Sequence, residues 1–304
     1  MNTTVKKIDI HAHSTPRPYI KRLSGDTYAT PRELRTIYDT IGVEKGLLLP
    51  SGAAEACRSD MISPREAHDM VQDFPETLGW WFCSVNPAMG SNSEKTNLSY
   101  FLLQYKEHGA KGVGEMCFND YFDDPLVLNL LTHCEKCQMP VLFHIGRKGN
   151  DYGLVDEIGL PRLEKVLGMF PDLIFIGHSQ KFWAEISKDV TEKDRGGYPK
   201  GTVIPGGRVI ELMRTYKNLH ADLSARSGFN ALKRDPTFAY AFLEEFPDRI
   251  YYGTDICSPR NIDNPMLGLS AFLDDAMLNG NISYDTYFKV SRGNALRLLD
   301  GKTA

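Results

Sequence analysis

At 304 residues the chain has material for one large α/β domain or two ordinary ones, and a formal charge of −4 argues against a duplex-binding surface, which normally carries a basic excess. No apolar run is long enough to span a membrane, and no basic stretch followed by an apolar one opens the chain. The six cysteines show no spacing of a disulfide framework, so the expected setting is reducing and cytoplasmic.

Taken in chain order, short β-branched or apolar runs alternate with longer amphipathic ones. The predicted strands are 6–13 (KKIDIHAH), 43–51, 78–86, 110–118, 139–146, 172–179, 218–224 and 249–255. Helical stretches lie between them, two with strong start signals. Thr30 with Pro31, and Ser63 with Pro64 and Glu66, are each an N-cap followed by proline at the first helical position, and the second set also fits a capping box. Strand and helix alternate eight times, as in a single (β/α)8 TIM barrel forming one domain over residues 1–304. A doubly wound open sheet is the alternative, but no glycine-rich phosphate loop follows the first strand. The connections after the fifth and sixth strands, RKGNDYGLVDEIG and QKFWAEISKDVTEKDRGGYPKGTVIPGG, exceed ordinary turns and read as substrate-covering loops.

In a barrel, the C-terminal ends of the strands converge on one mouth. His11 and His13 end the first strand, one residue apart and so on one face. Glu115 lies in the fourth strand, His144 in the fifth, His178 in the sixth and Asp255 in the eighth. Each follows an apolar run, where a buried polar group needs a partner. Singly, each has an ordinary structural explanation; jointly, six such residues at the same place in five repeats point to a shared site. Imidazoles aimed at one spot suit a divalent transition metal, with zinc first on ligand type and manganese the alternative because carboxylates join the set.

These residues carry a resemblance. IDIHAH, His144, His178, Asp255 and the closing NALRLL resemble the metal-dependent amidohydrolase superfamily, in particular the amidohydrolase 2 branch, which holds hydrolases, lactonases and nonoxidative decarboxylases similar to aminocarboxymuconate semialdehyde decarboxylase. The resemblance implies that His11, His13, His144 and Asp255 bind metal, and that His178 orients or protonates substrate or binds a second ion. Many relatives use a fourth-strand lysine to bridge two metals. Here the strand offers Glu115, which resembles the TatD-like metallohydrolases, and Lys111 sits too early in the strand. One or two ions are therefore expected.

The implied activity is hydrolysis of an amide, lactone or ester bond in a small organic substrate through a metal-activated water, with Asp255 as general base and His178 beside the developing charge. The alternatives are nonoxidative decarboxylation of a small carboxylic acid and, third, a TatD-like nuclease. Arg147, Lys181 and Arg226 are the expected anchors for a substrate carboxylate or phosphate, and Trp183 an expected wall for a planar substrate. No nucleic-acid or membrane partner is expected, and a homodimer is the assembly such barrels suggest. Cys134 and Cys137 form a lone CxxC inside a helix and read as half-buried helix residues.

Overall fold

The computed structural model describes residues 3–50, 62–149 and 151–301. Nine strands run β1 (Lys7–Ala12), β2 (Val43–Leu48), β3 (Leu78–Trp81), β4 (Val113–Met116), β5 (Val141–Gly146), β6 (Leu154–Val155), β7 (Phe175–His178), β8 (Leu219–Asp222) and β9 (Ile250–Tyr251). Eight of them fall within the eight predicted runs. The ninth, β6, is a two-residue strand in the long connection after β5, and pairs with it. Residue 51, the last of the second predicted strand, lies outside the described residues.

Between the strands lie α1 (Pro31–Ile41), α2 (Pro64–Asp73), α3 (Ser99–Glu107), α4 (Pro125–Lys136) and α5 (Pro161–Met169). The connection after β7 folds into α6 (Gln180–Ala184) and α7 (Glu192–Arg195) before α8 (Arg208–Thr215). Then come α9 (Ala225–Lys233), α10 (Pro236–Glu245), α11 (Gly268–Leu278), α12 (Tyr284–Phe288) and, after a π-helical turn, α13 (Asn294–Asp300). Thr30 and Ser63 cap α1 and α2 as predicted, each in a reciprocal capping box with Glu33 or Glu66. α3 begins at Ser99, whose amide and hydroxyl bond to His133 Nδ1 at 3.2 and 2.6 Å. Cys134 and Cys137 are 0% and 4% exposed, so the CxxC is core rather than half-buried.

All the strand pairings are parallel, in the orders β1-β2-β3 and β4-β5-β7-β8-β9. Backbone hydrogen bonds also tie the two groups together. Cys83 N donates to Gly112 O and Gly114 N to Cys83 O between β3 and β4, while Ile10 N donates to Tyr252 O and His13 N to Ile256 O between β1 and β9. One core fills the space between strands and helices; a second packs Ile8, Ile10, Leu47, Leu142 and Ile176 against Ala295 and Leu299 of α13.

β1 changes face along its length. Ile8 and Ile10 belong to the second core, yet Ala12 belongs to the strand–helix core. β1 advances three residues from Asp9 to Ala12 while β2 advances two, from Gly46 to Leu48. That extra residue is a β-bulge, and it turns His11 and His13 to the side on which Ile8 and Ile10 lie. Asp9 holds the bulge: it accepts from His11 N and Thr254 N at 2.9 Å each, from Thr254 Oγ1 at 2.5 Å and from Tyr38 Oη at 2.6 Å. Burial nonetheless pushes its carboxyl up to about 6, against the pull of those donors.

Candidate metal centre

Every residue of the predicted ligand set lies where strand ends meet. His11 Nε2 and His13 Nε2 are 3.2 Å apart. Glu115 Oε2 lies 3.7 Å from the first and 3.4 Å from the second, and Asp255 Oδ1 lies 3.6 and 3.5 Å from the same two atoms. The other oxygen of Glu115 accepts from His144 Nδ1 at 2.8 Å and lies 4.0 Å from His178 Nε2. Three overlapping groups of donor atoms result: His11, His13 and Glu115; His11, His178 and Asp255; Glu115, His144 and His178.

The outward nitrogens decide which way the lone pairs face. His13 Nδ1 donates to the Leu49 carbonyl at 2.9 Å, an acceptor that can only take a hydrogen. His11 Nδ1 pairs with Asp222 Oδ2 at 2.7 Å. His178 Nδ1 meets Ser224 Oγ at 2.9 Å and Asp222 Oδ2 at 3.1 Å. Once neutral, imidazoles held this way present bare Nε2 atoms to the centre, where carboxylate oxygens also point. Such a set of facing lone pairs is stabilised by a cation, and all of these donors suit a divalent metal; the residues present fit one.

The electrostatics agree. Burial disfavours charge on His11, but the Asp222 carboxylate overrides it and holds the imidazole's pKa well above its usual value. Burial lowers that of His13. Glu115 is desolvated too, yet bonds to His11, His13 and His144 keep it ionised well below the ordinary range. Asp222, likewise buried, is held low by His11 and His178. Asp255 differs from these carboxylates: its side chain is 29% exposed, against 3% for Glu115, and its backbone sits at φ 56°.

Asp222, Ser224 and Asp9 were missed by the sequence reading. Asp222 occupies the end of β8 in HADLS, the same strand-end position that singled out the other residues, and Asp9 lies within IDIHAH itself.

The substrate-contact expectations divide. Arg147 and Lys181 line a cavity of about 210 Å³ at the end of β5, together with Lys148, the buried Arg195 and the carboxylates of Asp156, Glu157 and Glu192. Lys181 Nζ is paired with Asp151 at 2.8 Å. Trp183 needs correcting: it is buried, its indole N–H donates to the Asp222 carbonyl at 2.9 Å, and its ring packs against Phe182 and Phe242. It supports β8 from the core and walls no open site. Arg226 stacks on Tyr198, 4.4 Å from the ring centroid, and lines a cavity shared with none of the cluster residues.

A profile of the amidohydrolase family matches residues 8–301. The chain belongs to the amidohydrolase family. Solved structures share the fold over nearly the whole amidohydrolase chain at low identity. A 2,6-dihydroxybenzoate decarboxylase from Rhizobium is 15% identical with a TM-score of 0.55, covering 98% of this chain and 99% of its own. A zinc-bound amidohydrolase from Burkholderia multivorans is 12% identical with a TM-score of 0.59, covering 97% and 99%. A 5-carboxyvanillate decarboxylase from Novosphingobium aromaticivorans, complexed with manganese and a nitrobenzoic acid, is 15% identical with a TM-score of 0.50, covering 88% and 79%. No curated protein matches the chain. Among the described residues no helix is long and apolar enough to cross a membrane.

Proposed function

We propose that this amidohydrolase is a divalent-metal-dependent hydrolase of a small organic substrate, cleaving an amide, lactone or ester bond. The observation that carries the reading is the convergence of His11 Nε2, His13 Nε2 and both oxygens of Glu115, with Asp222 and the Leu49 carbonyl fixing the imidazoles from behind. His11, His13, Glu115, His144, His178 and Asp255 would hold the ion or ions. The two oxygens of Glu115 face different histidines, which supports two half-sites sharing that carboxylate. Zinc suits this nitrogen-rich set, and manganese is the alternative.

A bound divalent ion supplies Lewis acidity, polarising a carbonyl and lowering the pKa of water. The chain's own residues do the rest. Asp255, the half-exposed carboxylate beside His11 and His13, takes the proton of the attacking water and passes it to the leaving group. His178, locked through Nδ1 by Ser224 and Asp222, offers Nε2 to the substrate or to a second ion. Arg147 and Lys181, in their cavity at the end of β5, anchor an anionic group such as a carboxylate. The framework for this is one (β/α)8 barrel domain, supported by the hydrogen bonds from Cys83 to β4 and from Ile256 to β1.

Nonoxidative decarboxylation of a small carboxylic acid is the second reading, supported by the decarboxylases among the solved structures that share the fold. The test is metal content by elemental analysis of protein purified without chelator, compared with a His11→Ala, His13→Ala double variant, followed by product analysis on lactone, ester, amide and aromatic-acid panels. Metal lost in the variant, with metal-dependent hydrolysis, supports the proposal. Carbon dioxide release without hydrolysis overturns it in favour of the second reading. No metal in either protein overturns both.

A further inference from the structure

The first turn of α9 leaves the cluster and runs into a second, chemically different place. Ser224, the residue capping α9, bonds His178 through its hydroxyl. Two residues on, Arg226 opens a cavity of about 450 Å³ that Lys200, Lys233, Arg234, Phe229 and Asn230 also line. Four cationic side chains thus face one space in a protein whose net charge is −4, and among the described residues no carboxylate lines it. A volume of this size is within the range of small-ligand pockets.

The cations have few internal partners. Arg226 lies over the Tyr198 ring and Lys233 over the Phe229 ring, at 4.4 and 5.4 Å, contacts that orient the heads without neutralising them. The Arg234 Nε and Nη2 atoms are buried and make no hydrogen bond. Asp189 and Asp235 act electrostatically on Arg234 but make no hydrogen bond to its Nε or Nη2; Asp235 accepts from Val203 N and Phe238 N, and Asp189 from Ser187 Oγ. The wall is also built rather than loose, because Asn230 Nδ2 donates to Pro199 O at 3.0 Å and fastens the 199–201 segment to α9. Like charges gathered this closely repel unless an anion joins them, and guanidinium groups suit oxyanions with several acceptor atoms.

We propose that this cavity is a binding site for a phosphate group, separate from the metal cluster. Two arginines and two lysines more than offset the two negative charges of a phosphate dianion and offer its oxygens several donors. The Phe229 ring beside them offers apolar surface for the organic part of a monoester. None of the residues invoked belongs to the cluster, so the site stands whether or not the metal reading does.

The test is isothermal titration of the metal-loaded protein with inorganic phosphate and with a small alkyl phosphate monoester, at constant ionic strength maintained with chloride. Saturable binding of either supports the site, and the tighter of the two identifies the source of the group. Arg234→Gln is expected to weaken binding about tenfold or more, the scale of one charge-assisted hydrogen bond. Should Arg234→Gln fail to fold, a Lys200→Gln, Arg226→Gln double variant at exposed positions serves instead. The His11→Ala, His13→Ala variant is expected to retain binding. Binding that disappears in that variant but survives Arg234→Gln would place the anion on the metal cluster and overturn the proposal, as would the absence of saturable binding.

Discussion

His11 Nδ1 and Asp222 Oδ2 lie 2.7 Å apart with both side chains fully buried, joining residues 211 positions distant in the chain. The carboxylate fixes which imidazole nitrogen carries hydrogen and increases the basicity of the one facing the centre. Asp222→Asn keeps the shape but removes the charge, and it disturbs His178 through the same oxygen. Metal affinity is expected to fall about 10- to 100-fold, the range for such supporting partners. Competition against a chromophoric chelator measures it; an unchanged affinity would show that Asp222 serves packing alone.

The same pair makes metal binding pH-dependent. Asp222 holds the His11 pKa above its ordinary value, so in the metal-free protein the imidazole keeps its proton to higher pH than a free histidine. A ligand must be deprotonated to bind, so the proton competes with the ion below that raised pKa. Affinity should therefore rise with pH across the neutral range and level off once His11 is neutral. Protons should be released on loading, which calorimetry in buffers of different ionisation enthalpy detects. Proton uptake, or affinity that falls with rising pH, would contradict the assignment.

Alternation along a strand puts His11 and His13 on one side, and periodicity was enough to read eight strands and the caps at Thr30 and Ser63. The bulge between Asp9 and Ala12 was not legible, because it depends on register with β2 rather than on residue type. Asp222 stands at a strand end like the other site residues, but its role is hidden until His11 is known to lie against it. Trp183 misled for the opposite reason. A tryptophan next to a strand end suggests an aromatic wall, but its direction is set by packing with Phe242 of α10, fifty-nine residues later in the chain. Side chains whose roles follow from period could be read; those whose roles follow from distant packing could not.

Tyr38 reaches Asp9 only because residue 46 has no side chain. A Cβ at Gly46 would lie 2.2 Å from Tyr38 Oη. Gly46→Ala should push the phenol off Asp9 and destabilise the protein by about 1–3 kcal/mol, as overpacking does. Thermal unfolding measures that loss. A Gly46→Ala, Tyr38→Phe double variant removes the closest clash and leaves ring carbons at 3.1 and 3.3 Å, so it should recover part of the loss but not the hydrogen bond to Asp9. Recovery to wild-type stability would show that the Asp9 bond contributes nothing.

Asp255 and Glu115 face the same two nitrogens, but their surroundings separate their roles. Glu115 is buried and ionised by its three histidines, an environment that suits holding a cation. Asp255 is partly open to solvent, where a water and a leaving group can reach it. Asp255→Asn should lower kcat by about 10²- to 10⁴-fold, the contribution of a general base, while metal content falls less than in Glu115→Gln. Equal metal loss in both variants, with activity restored by excess metal, would instead make Asp255 a ligand only and leave the proton transfer to another group.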